Sequence, residues 1–186
     1  MLTQIGLFLI QTIFGFLIFI FLLRFYAFAC RVNLSLTGHQ AGQFIYALSD
    51  WAVLPLRRLL PKWGRLDLPS LLPAIGLEVI LSAVSSFLLG AWHLNLPDLL
   101  VTAVFALLSL AISGLMGLVI VYALLSLVQP HSPLFILMSK LCEPFLQPLR
   151  RFLPLIGGID LSAFVALMVF QIALMIIKSL HLSALY

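Results

Sequence analysis

Four long apolar segments alternate with stretches in which the polar and charged residues gather. The apolar segments cover about residues 5–23, 68–92, 99–128 and 161–180. A helix of about 20 residues crosses the hydrocarbon core of a bilayer, so each segment is long enough to span a membrane. The pattern therefore predicts an all-α membrane protein with four transmembrane helices.

Shorter amphipathic patterns occupy the connections after the first and third spans. From Gln43 to Leu54, polar residues recur every three to four positions and apolar residues take the other side. We expect Pro55 to end this helix, because proline cannot continue the backbone hydrogen-bond ladder. The second connection has the same pattern, with Lys140 on its polar face. Both segments predict helices lying in the membrane plane, and a shallow re-entrant hairpin is the alternative.

A single offset of 93 residues relates the two halves of the chain. It places Asp50 on Glu143 and aligns prolines, arginines, glycines and aspartates of the two connections. Such a match indicates a tandem duplication, with repeats at residues 1–93 and 94–186. Two spans in each half make the repeats parallel, each consisting of a span, an amphipathic helix or loop, and a span. The aligned residues are Pro55, Arg57, Arg58, Pro61, Gly64 and Asp67 with Pro148, Arg150, Arg151, Pro154, Gly157 and Asp160.

The end of each connection has the composition of a turn followed by a helix cap. Gly157 and Gly158 permit a sharp turn back towards the membrane. Asp67 and Asp160 each stand one residue before a predicted span, where a side-chain oxygen can accept hydrogen bonds from free helix N–H groups. The motif therefore predicts a helix, an arginine anchor, a turn and a cap.

Composition and charge define the environment of the protein. Hydrophobic residues make up 63% and charged residues 9% of the chain, against roughly 45–50% and 25% in a soluble domain. Nine of the ten lysines and arginines lie in the two connections that carry the motif, and only Lys178 lies elsewhere. This bias predicts that both connections are cytoplasmic and both termini outside. The net charge of +4 is explained by this topology and by the closeness of the connections to anionic headgroups. We therefore expect no nucleic-acid binding.

The two arginine pairs are the first candidates for binding. At headgroup level, arginine can form two hydrogen bonds to a lipid phosphate. In the alternative interpretation they only anchor the connections, or one arginine of each pair binds the aspartate across the turn. The candidates for lipid or partner contacts are Arg57, Arg58, Lys140, Arg150 and Arg151.

Glu78 lies near the middle of the second span, and the offset places Gln171 at the matching point of the fourth. A charged side chain at this depth costs roughly 2.5–3.5 kcal/mol, so Glu78 should face the helix bundle. The pair suggests either a proton or cation site or a hydrogen bond between helices. Small residues spaced by four, such as Ser109, Ser113 and Gly117, favour close helix packing, either within the bundle or at the face of a homodimer.

The motif Pro-Leu-Arg-Arg-x-Leu-Pro-x-x-Gly-Gly-Ile-Asp, preceded by Glu143-Pro144, resembles the YggT/YlmG family of small membrane proteins, and both halves carry it. The first copy departs from the family pattern at Trp51 and Arg65, and the second copy departs from it at Ala163. The resemblance implies a bacterial inner-membrane protein linked to osmotic-stress tolerance, division or membrane-complex assembly. It supplies no catalytic residues.

These observations predict a non-enzymatic scaffold or assembly factor that contacts anionic lipid, with a membrane-protein partner or a second copy. The sequence has no nucleophile–base pair and no metal-ligand spacing, so we expect no cofactor and no metal. The alternative function is a small ion or proton transporter that uses Glu78 and Gln171.

Overall fold

The computed structural model describes residues 1–32, 40–59, 67–90, 95–151 and 161–184. These ranges contain six α-helices, and four of them, the first, third, fourth and sixth along the chain, are long and apolar enough to cross a membrane. The all-α prediction with four spans is therefore confirmed. The helices are α1 Leu2–Ala29, α2 Gln40–Leu59, α3 Leu68–Leu88, α4 Leu96–Val128, α5 Pro133–Arg150 and α6 Leu161–Ala184.

The helix ends differ from the predicted spans by a few residues. α1 continues through Arg24, which the apolar pattern placed at its end. α3 stops earlier than predicted, and Gly90 follows it with a φ of +83°. This left-handed conformation suits glycine and is common just beyond a helix C-terminus, which explains the stop.

The prediction that Pro55 ends α2 is wrong, because the helix runs through it to its last turn. A proline removes one backbone donor, and the remaining ladder can continue on either side of the gap. The last turn of α2 is also held from outside, since Arg57 binds Asp67 at 2.9 Å. α5 likewise continues through Pro144 and Pro148.

The offset of 93 residues reappears in the helix positions. α2 and α5 begin at residues 40 and 133, and α3 and α6 begin at residues 68 and 161. Three buried positions of α1 instead match three of α4 at an offset of 98, because the connection after α4 is shorter than the one after α1. These matching positions are Ile20, Phe21 and Arg24 on α1 and Leu118, Val119 and Tyr122 on α4.

Each repeat packs in the same way. α1 lies against α3 with α2 touching both, and α4 lies against α6 with α5 touching both. Contacts of α4 with α3 and α1 join the repeats. One apolar cluster lies within the first repeat, and a larger one surrounds α5 and includes residues of α1 and α2. The first cluster has Ile18, Phe21, Val53, Ala74 and Leu81 at its centre.

α4 packs closely against α1 at Gly114. A Cβ atom there would lie 2.5 Å from a ring carbon of Phe19. The small residues singled out by spacing do not make this contact: Ser113 is exposed, and a Cβ at Gly117 would meet nothing within 4 Å. Glycine at position 114 is therefore the residue that admits the aromatic ring.

Candidate functional site

A buried arginine on a membrane-spanning helix organises the contact between α1 and α2. Arg24 is 3% exposed, and its Nη1 donates to an Asp50 carboxylate oxygen at 2.7 Å and to the Ser49 hydroxyl. Its guanidinium also lies 4.7 Å from the ring centre of Tyr46. Part of the polar side of α2 thus faces α1.

This network satisfies a charge that would be costly to bury alone. The carboxylate, the hydroxyl and the aromatic face each stabilise the guanidinium. The Nε of Arg24 is buried and has no acceptor among the described residues. From the sequence, Arg24 counted only among the basic residues that predict the orientation of the chain. The signal for its buried role was the polar side of α2, which needs a polar partner inside the protein.

In the first repeat, one arginine of the pair is bound to the aspartate that precedes α3. Arg57 Nη2 donates to Asp67 Oδ2 at 2.9 Å, and the Ser70 hydroxyl donates to the same oxygen at 2.7 Å. Asp67 is 1% exposed and occupies the predicted N-cap position of α3. Its side chain accepts no helix N–H, contrary to the prediction, because it is turned towards Arg57 and Ser70. The backbone carbonyl of Asp67 accepts from Ser70 and Leu71 instead.

In the second repeat, the first arginine is bound to a different partner. Arg150 donates to the hydroxyl of Tyr122, and its guanidinium lies 5.8 Å from the centre of that ring. Tyr122 is buried and stacks on Phe135 with ring centres 5.4 Å apart. The remaining predicted motif residues lie outside the described part of the chain: Pro61, Pro154, Gly157, Gly158 and Asp160.

The second arginine of each pair points away from the bundle. Arg58 and Arg151 are exposed at the C-terminal ends of α2 and α5, and Lys140 is exposed on α5. Among the described residues, none of the three forms an ion pair. The two repeats therefore present matching cations whose donors are available to an oxyanion such as a phosphate.

α5 is fixed by contacts from several helices. The Tyr26 hydroxyl of α1 donates to the Leu141 carbonyl at 2.6 Å. Phe145 stacks on Tyr26 and meets Phe170 of α6 edge-on, with ring centres 5.8 and 5.2 Å apart. Cys142 is 1% exposed, and this burial raises the pKa of its thiol to about 12. The exposed residues of α5 thus lie on a firmly anchored helix.

The structure does not bring Glu78 and Gln171 together. Glu78 is 6% exposed on α3, whereas Gln171 is exposed on α6. Ala74 and Leu81, one turn before and after Glu78, belong to the apolar cluster of the first repeat. In the described part of the chain, no hydrogen bond joins the two side chains. A polar site shared between them is therefore not formed.

An apolar cavity of about 250 Å³ lies between α1, α3 and α4. Tyr26 is the one polar residue of its lining, and its hydroxyl is committed to Leu141. The described residues also contain no group of three side chains suited to hold a metal ion. The cavity thus offers no arrangement of polar groups for an ion.

Comparisons with known proteins agree with the repeat architecture. The sequence model of the CCB3/YggT family matches residues 3–88 and 101–181, one region in each repeat. The chain is 32% identical over 168 residues to "Uncharacterized protein in proC 3'region" of Vibrio alginolyticus, covering 89% of each chain. It is 32% identical over 168 residues to "Uncharacterized protein PA0392" of Pseudomonas aeruginosa, covering 87% of this chain and 84% of the relative.

A third relative carries the family name. The chain is 31% identical over 132 residues to "Uncharacterized protein YggT" of Escherichia coli K12, covering 70% of this chain and 68% of the relative. No solved structure matches the sequence. The two matched regions and the shared length of these relatives lead to one conclusion: the chain belongs to the CCB3/YggT family.

Proposed function

We propose that the protein is a non-enzymatic scaffold of the bacterial inner membrane that gathers anionic lipid at its cytoplasmic face. The observation that carries this proposal is that the two arginines of each pair make different contacts. Arg57 and Arg150 bind Asp67 and Tyr122 and so hold α2 and α5 to the bundle, although Arg150 is itself exposed. Arg58 and Arg151 are exposed and form no ion pair with a described residue. An arginine bound within the protein, next to one whose donors are available, fixes the position from which the second can meet a headgroup.

The parallel repeats support the same proposal. With two spans in each repeat, we expect the ends of α2 and α5 on one side of the membrane, where the positive-inside bias predicts the cytoplasm. Anionic lipids attract a basic residue near that surface by about 1 kcal/mol. Two exposed arginines on one rigid protein would therefore enrich such lipids and present a charged surface to a protein partner. Membrane-complex assembly, division and osmotic-stress tolerance are the processes in which we place this scaffold.

Trp51 provides a built-in probe for lipid at Arg58. The two residues are seven positions apart on α2 and share one face, and Trp51 is 64% exposed. A chain with Trp63→Phe and Trp92→Phe keeps Trp51 as its one tryptophan. The experiment measures its fluorescence in vesicles of phosphatidylcholine and phosphatidylglycerol, with bromine on the acyl chains of one lipid or the other.

We expect brominated phosphatidylglycerol to quench Trp51 more strongly than its bulk fraction predicts. Arg58→Gln should remove this excess quenching. Lys178→Gln should leave the excess unchanged, because Lys178 is exposed on α6, in the second repeat. The same test applies to Arg151 with P148W, at an exposed position three residues before it, in a Trp51→Phe background. Equal quenching by both lipids, unchanged by Arg58→Gln, would contradict lipid recruitment.

The scaffold role has a separate test. The double reversal Arg58→Glu and Arg151→Glu should change the localisation of the protein and the set of proteins cross-linked to it in cells. Lys178→Glu is the control, since it reverses one exposed charge away from the arginine pairs. If localisation and cross-linked proteins stay the same in the double variant, the scaffold role fails.

A further inference from the structure

The outer faces of α2 and α5 differ although the two helices occupy equivalent places in their repeats. Before Arg58, three exposed positions on the outer face of α2 are apolar, whereas the matching positions of α5 include lysine and glutamine. An exposed apolar face suits lipid, whereas a polar face at the same depth suits water or another polar surface. The compared positions are Ala47, Trp51 and Leu54 on α2 and Lys140, Pro144 and Gln147 on α5.

The acidic residues of the two helices also differ in their partners. Asp50 is paired with Arg24 at 2.7 Å. The burial pattern places Tyr122 at the position of α4 that corresponds to Arg24, and Tyr122 binds Arg150. Glu143, the counterpart of Asp50, is therefore left exposed, with no ion pair to any residue that the structure describes.

The charges on the outer face of α5 are self-complementary. Lys140 and Glu143 are three residues apart, so they lie on neighbouring positions of one helix face. If α5 lies in the membrane plane, as the sequence predicts, a twofold axis along the membrane normal makes two copies of α5 antiparallel. Each Lys140 then faces the Glu143 of the other copy, which is the isologous pattern of a twofold interface.

We propose that the outer face of α5 is the contact between two copies of the chain, closed by two Lys140–Glu143 ion pairs. α2 cannot make an equivalent contact, because Ala47 is uncharged and Asp50 is already paired. The anchoring of α5 by Tyr26 and Arg150 holds this face rigid before the copies meet. The dimer depends on Lys140 and Glu143, whereas the proposed lipid contacts depend on Arg58 and Arg151.

Energy transfer between labelled copies tests the dimer in liposomes of phosphatidylcholine and phosphatidylglycerol. The label is attached through Ser183→Cys in a Cys30→Ser background, which places it on exposed α6 away from α5. We expect transfer between wild-type copies that falls as lipid dilutes the protein. Lys140→Glu and Glu143→Lys should each weaken association about tenfold, because each reversal turns two exposed attractive contacts into repulsive ones.

The decisive variant combines Lys140→Glu with Glu143→Lys and should restore the wild-type transfer. Lys178→Glu is the control, because it reverses an exposed charge on α6 instead of α5, and it should leave transfer unchanged. Absence of transfer in the wild type, insensitivity to either single reversal, or failure of the combined variant to restore transfer would each overturn the dimer. A loss of phosphatidylglycerol quenching in Lys140→Glu with unchanged transfer would assign this face to lipid instead.

Discussion

Arg24 of α1 and Asp50 of α2 form an ion pair of 2.7 Å in which the arginine is 3% exposed and the aspartate 39%. The pair links a membrane-spanning helix to a helix that lies in a connection between spans. The charge of Arg24 therefore has a structural partner, in addition to its place in the charge bias of the chain.

Arg24→Met should destabilise the protein by about 2–4 kcal/mol. Breaking a buried pair costs about 3–5 kcal/mol, and the exposure of Asp50 reduces this value because water can solvate the remaining carboxylate. Thermal unfolding in detergent, followed by circular dichroism, measures the change in stability. The control Arg58→Met removes an exposed arginine from the last turn of α2 and should change the stability little. Equal melting temperatures for the two variants would contradict the role of the pair.

The contact between Arg57 and Asp67 should appear as a coupling energy in a double-mutant cycle. Arg57→Met and Asp67→Asn each leave a buried or half-buried partner, and removing both should cost less than the sum of the single losses. We expect a coupling of about 1–3 kcal/mol, measured by unfolding in detergent. A cycle of Arg58→Met with Asp67→Asn should show coupling near zero. Additive losses in the first cycle would show that the 2.9 Å contact contributes nothing.

Gly114→Ala should loosen the contact between α1 and α4. The added methyl group would lie 2.5 Å from the Phe19 ring, and such overpacking costs typically about 1–3 kcal/mol. Gly117→Ala, in the same helix, has open space and should be neutral or stabilising, because alanine favours helix. Thermal unfolding of both variants measures the difference. Destabilisation of Gly117→Ala equal to that of Gly114→Ala would contradict the packing argument.

The two cysteines should react at very different rates with N-ethylmaleimide. Burial raises the pKa of Cys142 to about 12, so only about one thiol in ten thousand is ionised at pH 8, and the thiolate fraction rises only as the pH approaches that value. Cys30 is partly exposed and serves as the internal control. Mass spectrometry of the folded protein at pH 8 should find the label on Cys30, with Cys142 labelled only after unfolding. Equal labelling before unfolding would contradict the burial of Cys142.

The repeat was predictable because its residues recur at a fixed offset, and the same offset relates the starts of α2 with α5 and of α3 with α6. Pro55 was misread because the lost backbone donor was weighed alone, without the contact of Arg57 with Asp67 that holds the following turn of α2. The sequence did suggest the Arg57–Asp67 pair as one of several alternatives, since only nine residues separate the two.

Contacts between distant parts of the chain were harder to foresee. Arg24 and Asp50 are 26 residues apart, and Phe19 reaches Gly114 across the repeats. The spacing of small residues indicated α4 as a packing helix but selected Ser113 and Gly117, because the rotation of α4 against α1 is set by tertiary packing. The rotations of α3 and α6 in the bundle, likewise unknown from sequence, decide that Glu78 is buried while Gln171 is exposed.

The proposed function requires α2 and α5 to lie on the same, cytoplasmic side of the membrane. Labelling with a membrane-impermeant maleimide tests this most directly, using Arg58→Cys, Arg151→Cys and Ser183→Cys one at a time in a Cys30→Ser background. We expect the first two sites to react in inside-out vesicles and the third in intact spheroplasts. Reaction of Arg58→Cys and Arg151→Cys from opposite sides, or of both from the outside, would contradict the parallel repeats or their orientation.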